Sequence, residues 1–211
     1  MSKSRGMTAF ILSLSFITLT IAACDTQSDR HNGGVAHSPT ATMTPAASPI
    51  VSPTVNPALT LSPFDKGFMT DAARGGLMEV QLGNMAARSA TNNEVKRFGQ
   101  RVATDHSQAS QILRQLASTL NVTLPQELDP EQRNVVSRLQ NLTGKEFDRE
   151  YMKMMVNDHT KDVSEYERAA SQATNPEVKL FASQTLPTLR DHLKMARDIA
   201  VKLGVKLPQS Q

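Results

Sequence analysis

Residues 93–120 read NEVKRFGQRVATDHSQASQILRQLASTL, and their spacing decides the fold. Val95, Phe98, Val102, Ala109, Leu113, Leu116 and Leu120 recur every three or four residues, which is one face of an amphipathic helix. The same seam passes through Asp105-His106 near its middle, so a polar pair interrupts an apolar stripe. Thr91-Asn92-Asn93 just before it supplies a turn and a cap, with Asn92 or Asn93 able to accept the first amide hydrogens.

The segments on either side carry the same period. Residues 64–90 place Phe68, Ala72, Gly75, Glu79, Leu82 and Ala86 on one face. Gly75-Gly76 inside that helix costs about 1 kcal/mol each against alanine but lets another helix come close. After a Pro-containing loop, residues 131–142 form a short amphipathic helix with Val135, Val136 and Leu139, and Gly144 suits the position just past its end. Residues 145–173 allow two stripes, one through Phe147, Tyr151, Met154 and Asp158, the other through Met152, Met155, His159, Val163, Tyr166 and Ala170. Asn175-Pro176-Glu177 punctuates the chain, with Pro176 suited to a first helical position. A last long helix follows through Val178, Phe181, Thr185, Leu189, His192, Ala196, Ile199 and Leu203 to Gly204, with Pro187 expected to kink it. Strand patterns are absent. Short first and last connections predict two antiparallel hairpins: an all-α four-helix bundle with a short extra helix between the second and third long helices.

The chain has five histidines, and the three in the helical region each follow an aspartate: Asp105-His106, Asp158-His159 and Asp191-His192. Counted from turns near residues 91 and 175, Glu79 and His106 differ in height by about 4–5 Å and His159 and His192 by about 1–2 Å, at about 1.5 Å per residue. Glu79, His106, His159 and His192 are therefore expected at one level of the bundle. A carboxylate with imidazoles suits zinc, iron or copper. Neighbouring helix positions point about 100° apart, so Asp105, Asp158 and Asp191 cannot serve their own histidines but can hold the distal nitrogen of one on another helix. Met152, Met154 and Met155 are either soft copper(I) ligands or, more commonly, core filler. The other reading of the whole set is a structural polar network that fixes helix register. On the residues alone that reading carries more weight.

Residues 1–24 have the form of an export signal. Lys3 and Arg5 precede an apolar run, which ends in Leu19-Thr20-Ile21-Ala22-Ala23-Cys24. Small residues before a cysteine resemble a bacterial lipobox, with Cys24 the lipidated mature N-terminus. Asp25 adds a weak hint of inner-membrane retention. Cys24 is the sole cysteine, so no intramolecular disulfide exists. Residues 25–62, rich in Ser, Thr, Ala and Pro, read as an extended disordered tether. The folded domain is expected over residues 63–207, anchored to a membrane and facing an extracytoplasmic space, the periplasm in a diderm cell.

Without Lys3 and Arg5, 21 basic residues face 20 acidic ones and no basic cluster stands out, which argues against a nucleic-acid partner. There is no nucleophile elbow, phosphate loop or mature thiol nucleophile, so no catalytic residue is assigned and enzyme activity ranks below two alternatives. One is a lipid-anchored metal-binding protein. The other is a structural or protein-interaction module of the envelope whose Asp-His pairs only stabilise its core.

Several stretches together resemble the bacterial domain-of-unknown-function family 4142. They are Glu79-Val80-Gln81-Leu82-Gly83, Val95-Lys96-Arg97-Phe98, Asp105-His106, Leu142 to Tyr151, Asp158-His159 and Leu186-Pro187 through His192. The resemblance implies a ferritin-like four-helix bundle and export, and little about activity. The chain departs from true ferritins in having no Glu-x-x-His: Ala103, Val156 and Leu189 stand three residues before the histidines. A di-iron carboxylate site is therefore not expected; a mononuclear site or an empty network fits better.

Overall fold

The computed structural model describes residues 61–207; the proposed signal peptide, the Cys24 lipobox and residues 25–60 of the tether lie outside the described residues. Five helices run in the order α1 (Pro63–Ser89), α2 (Asn93–Thr119), α3 (Pro130–Gln140), α4 (Gly144–Gln172) and α5 (Pro176–Lys202), with no strand among the described residues. The four long helices form two hairpins, α1–α2 and α4–α5, joined by packing of α2 on α5 and α1 on α4. This is a ferritin-like four-helix bundle. The short α3 lies against α1 and α4, burying Val136 and Leu139. None of the described helices is long and apolar enough to cross a membrane.

Local chemistry sets each boundary. Ser62 and Asp65 form a capping box at the start of α1, and Asp129 and Gln132 form another at α3. Asn92 and Asn175 accept the first amide hydrogens of α2 and α5. Gly144, expected to close α3, instead opens α4 with φ +60, while α3 stops at Gln140 with Asn141 as its cap. The helix α5 runs through Pro187 without a break.

The two hairpins are copies of one plan, offset by 83 positions. Phe64-Asp65 answers to Phe147-Asp148, and Thr91-Asn92-Asn93-Glu94-Val95-Lys96-Arg97-Phe98 to Thr174-Asn175-Pro176-Glu177-Val178-Lys179-Leu180-Phe181. The hydrogen bonds repeat with it. Asp65 on α1 accepts from the Thr174 amide (3.0 Å) and hydroxyl (2.6 Å) and the Asn175 amide (3.2 Å), all in the opposite hairpin's turn. Asp148 on α4 accepts from the Thr91 amide (3.0 Å) and hydroxyl (2.5 Å) and the Asn92 amide (2.9 Å). Past the far ends, Asn121 and Gly204 both turn left-handed, at φ 55 and 68. Each hairpin thus pins the turn of the other.

Within the first hairpin the closest approach falls at Gly83 and Gly99. A Cβ on Gly99 would lie 2.7 Å from the Ala86 Cβ and 2.8 Å from the Gly83 carbonyl oxygen. Backbone and Cβ atoms cannot swing aside, so Gly99→Ala is expected to cost about 2–3 kcal/mol despite the roughly 1 kcal/mol better helix propensity of alanine. Gly67, with nothing within 4 Å of an added Cβ, should instead gain up to about 1 kcal/mol as alanine. Urea unfolding of both variants checks the pair; equal midpoints contradict it.

The apolar interior divides into two clusters. One holds Leu82, Phe98, Val102, Tyr151, Met152, Met155 and Val156; the other holds Phe68, Met69, Leu113, Tyr166, Phe181 and Leu189. Met152 and Met155 are fully buried in the first, with Met154 half-buried against it. Between the clusters every long helix contributes something polar: Glu79 on α1, His106 on α2, His159 on α4 and His192 on α5.

Candidate metal centre

The structure gathers Glu79, His106, His159 and His192 at one level, all buried. The three imidazole rings stand 5.3–5.5 Å apart, centroid to centroid. The Phe98 ring lies 6.2 Å from both His159 and His192, on the side toward the first apolar cluster.

The partners of each ring decide where its protons are. His159 Nδ1 lies 3.1 Å from the Met155 carbonyl oxygen, which can only accept, so Nδ1 carries the hydrogen. His192 Nε2 lies 2.8 Å from the Asp105 carboxylate and donates to it. In neutral rings the remaining nitrogens, His159 Nε2 and His192 Nδ1, both hold lone pairs. They face each other at 3.3 Å. His106 Nδ1 lies 2.8 Å from Glu79 Oε2, and its Nε2 is buried with no hydrogen-bond partner.

Burial keeps the rings neutral. It pushes His106, His159 and His192 all below the usual histidine range, His159 furthest because His106 and His192 also press on it. The acids shift the other way. Burial raises Glu79 and Asp162 well above the ordinary carboxyl range and raises Asp158; the Asp158 charge pushes Glu79 and Asp162 up further, and Glu79 does the same to Asp162. Buried atoms with no hydrogen-bond partner are concentrated here: Glu79 Oε1, His106 Nε2, Asp158 Oδ2 and Asp162 Oδ2.

These directions fix a pH profile for the metal-free protein. Unfolded carboxyls ionise from about pH 4 upward while the buried ones stay protonated, so stability falls as pH rises past that point. Unfolded histidines charge below about pH 6.5 while the buried ones stay neutral, so stability also falls as pH drops below it. The two slopes oppose each other in between. The melting temperature of metal-free protein is expected to peak between about pH 4 and 6.5 and to decline on both sides. A steady rise from pH 5 to 8 contradicts this.

The three aspartates of the Asp-His pairs part company. Asp105 reaches across from α2 to His192 and is itself met by Arg101 at 3.3 Å. Asp158 is half-buried beside Glu79 and His106 with one oxygen unpartnered. Asp191 is not brought to the cluster: its side chain is 68% exposed and its partner is Arg101, 3.8 Å away. The cause is the 100° step between adjacent helix positions, which turns Asp191 outward when His192 turns inward. Asp162, one turn beyond Asp158, joins the cluster without having been singled out from the sequence. The internal repeat marks it, since Asp162 is the counterpart of Glu79, 83 positions on.

Two donor sets emerge. His106, His159 and His192 have donor atoms within 4.8 Å of one another, as do Glu79, His159 and Asp162. The molecule is thus an all-helical bundle with a buried histidine–carboxylate belt. Residues 51–199 match the family described as a domain of unknown function (DUF4142), and the chain belongs to that family. Solved structures share its fold. A DUF305 fragment from Deinococcus radiodurans is 14% identical with a TM-score of 0.59, over 67% of this chain and 98% of that one. A candidate secreted DUF305 protein from Streptomyces coelicolor is 14% identical with a TM-score of 0.58, over 70% and 98%. A candidate spore coat protein from Bacillus halodurans is 13% identical with a TM-score of 0.58, over 74% and 98%. At such identities the likeness speaks for the fold alone. No curated protein matches the sequence.

Proposed function

We propose that this is a lipid-anchored, extracytoplasmic metal-binding bundle whose ion is held by the imidazoles of His106, His159 and His192. The observation that carries the reading is the pair of lone pairs facing each other at 3.3 Å, with the orphaned His106 Nε2 beside them. Two nitrogens bound at about 2.0–2.1 Å to one tetrahedral ion stand about 3.3–3.4 Å apart. Three nitrogen donors suit a borderline divalent ion, zinc, iron or copper.

The distal nitrogens support the same assignment. Asp105 holds His192, Glu79 holds His106, and the Met155 carbonyl holds His159, the usual way a protein orients metal-bound imidazoles. Glu79 on this reading orients a ligand rather than being one. Asp158 and Asp162 add negative charge next to the site. A purely structural network fits less well, because such networks leave few buried polar atoms unpaired and this one leaves four.

The export signal and the Cys24 lipobox support the anchoring half, and one structural neighbour is a candidate secreted protein. Full-length protein equilibrated with Zn2+, Cu2+ or Fe2+ and then desalted is expected to retain one ion in this site, and His192→Ala to lose it. Elemental analysis showing no retained metal overturns the metal reading. Cys24→Ser should move the protein from the membrane to the soluble fraction; unchanged partitioning overturns the anchor.

A further inference from the structure

The carboxylates on the other side of His159 form a separate set. Glu79 is 2% exposed, yet its Oε1 has no hydrogen-bond partner. Glu79 lies beside Asp162, close enough for the two carboxyls to share a proton, and the Asp162 and Asp158 Oδ2 atoms are likewise buried with no donor reaching them. Three neighbouring carboxyl groups, each with a buried oxygen that no donor reaches, are more acid than a core keeps without a partner for it. Among the described residues no arginine or lysine forms an ion pair with Glu79, Asp158 or Asp162, and Lys161 acts on Asp158 only from a distance.

The internal repeat separates this set from the histidines. Glu79 and Asp162 occupy equivalent positions of the two hairpins, so the repeat places a carboxylate on each side of the α1–α4 contact. The histidines break the repeat: Gly76, Leu189 and Ala109 stand where counterparts of His159, His106 and His192 would be. A Cβ at Gly76 would already lie 2.9 Å from the Ser110 hydroxyl, so the first hairpin has no room for an imidazole there.

We infer that Glu79 and Asp162, with Asp158 beside them, form a second cation site that takes a hard divalent ion such as Mn2+ or Mg2+; His159, the third member of that donor set, turns its hydrogen-bearing Nδ1 toward it and so is not a ligand there. Oxygen-only donors from carboxylates favour such ions over copper or zinc. Too few protein oxygens converge for the six to eight ligands of Ca2+, whereas Mn2+ or Mg2+ completes an octahedron with water. The site extends the reading above but does not require it, since none of its three oxygens belongs to an imidazole.

The test uses full-length protein brought to saturation with Zn2+ and desalted, then titrated with Mn2+ while the electron paramagnetic resonance signal of free aqueous Mn2+ is followed. About one further Mn2+ per chain is expected to leave the free pool, and Asp162→Asn and Asp158→Asn should each weaken this at least about tenfold. Asparagine keeps the shape of each side chain, and far-UV circular dichroism verifies the folding of both variants. Mn2+ that stays free, or binds both variants as tightly as the parent, overturns the second site. Mn2+ uptake that is sensitive to Asp162→Asn in a protein that retains no zinc upholds the second site and overturns the imidazole site instead.

Discussion

Asp65→Ala is expected to lower the unfolding free energy by about 3–5 kcal/mol, the largest loss for any single polar side chain outside the histidine belt. Asp65 is fully buried and ties α1 to the start of α5, 109 and 110 residues away, by three hydrogen bonds, besides capping its own helix with Ser62. Hydrogen bonds to a charged group contribute about 1.5–3 kcal/mol each, and removing the carboxylate takes away the acceptor that the buried Asn175 amide donates to. For a domain of this size the melting temperature should drop by roughly 10–15 °C. Asp148→Ala breaks the equivalent set at Thr91 and Asn92 but should cost less, about 2–4 kcal/mol, because Asn92 is only half-buried where Asn175 is buried, so water can replace part of what is lost. Burial alone would raise the Asp65 carboxyl, but the hydrogen bonds from Thr174 and Ser62 outweigh it and hold the group below the usual aspartate range. Its stabilisation is therefore present above about pH 4 and lost as pH falls further, so Asp65→Ala should also flatten the acid limb of the stability curve. Equal losses for alanine at Asp65 and at exposed Asp71 would contradict this account.

Metal should change stability by as much in the other direction. At a free ion concentration about a thousand times the dissociation constant, binding to the folded state alone adds about 4 kcal/mol. The melting temperature of the full-length protein should then rise by roughly 8–16 °C on adding Zn2+ at neutral pH. His192→Ala and His106→Ala should each abolish most of that rise, since each removes one of three nitrogen donors. Asp105→Asn, which leaves the three donors in place and only weakens the hold on His192, should keep a smaller rise with an affinity lower by about 10–100-fold. Chelator should return the parent protein to its metal-free melting temperature. No shift with any of the three metals would leave the imidazole triangle a structural feature only.

Much of this site was visible in the chain itself. The apolar period along residues 93–120 and its equivalents specified four helices, because burial of one face per helix leaves a mark every three or four residues. Counting rises from the two short turns placed Glu79 level with His106 and His159 level with His192, since an α-helix climbs by a constant amount per residue. The 83-residue repeat was equally visible in Thr91-Asn92 against Thr174-Asn175, and it marks Asp162 as the partner of Glu79. A reading by apolar period passes over Asp162, because it is half-buried and lies beside the seam rather than on it.

What the sequence by itself determined is helix number, the hairpin pairing, the family and which polar residues share a level. All of these follow from spacing along one chain. Only the tertiary structure decided which member of each Asp-His pair faces inward, that Asp105 rather than Asp191 meets His192, and which ring nitrogens carry lone pairs. Those depend on the rotation of each helix about its own axis and on which helices are neighbours around the bundle. A rotation of 100° exchanges Asp191 for His192 while leaving every height unchanged. Packing of the two apolar clusters sets that rotation. The facing nitrogens of His159 and His192 are its consequence.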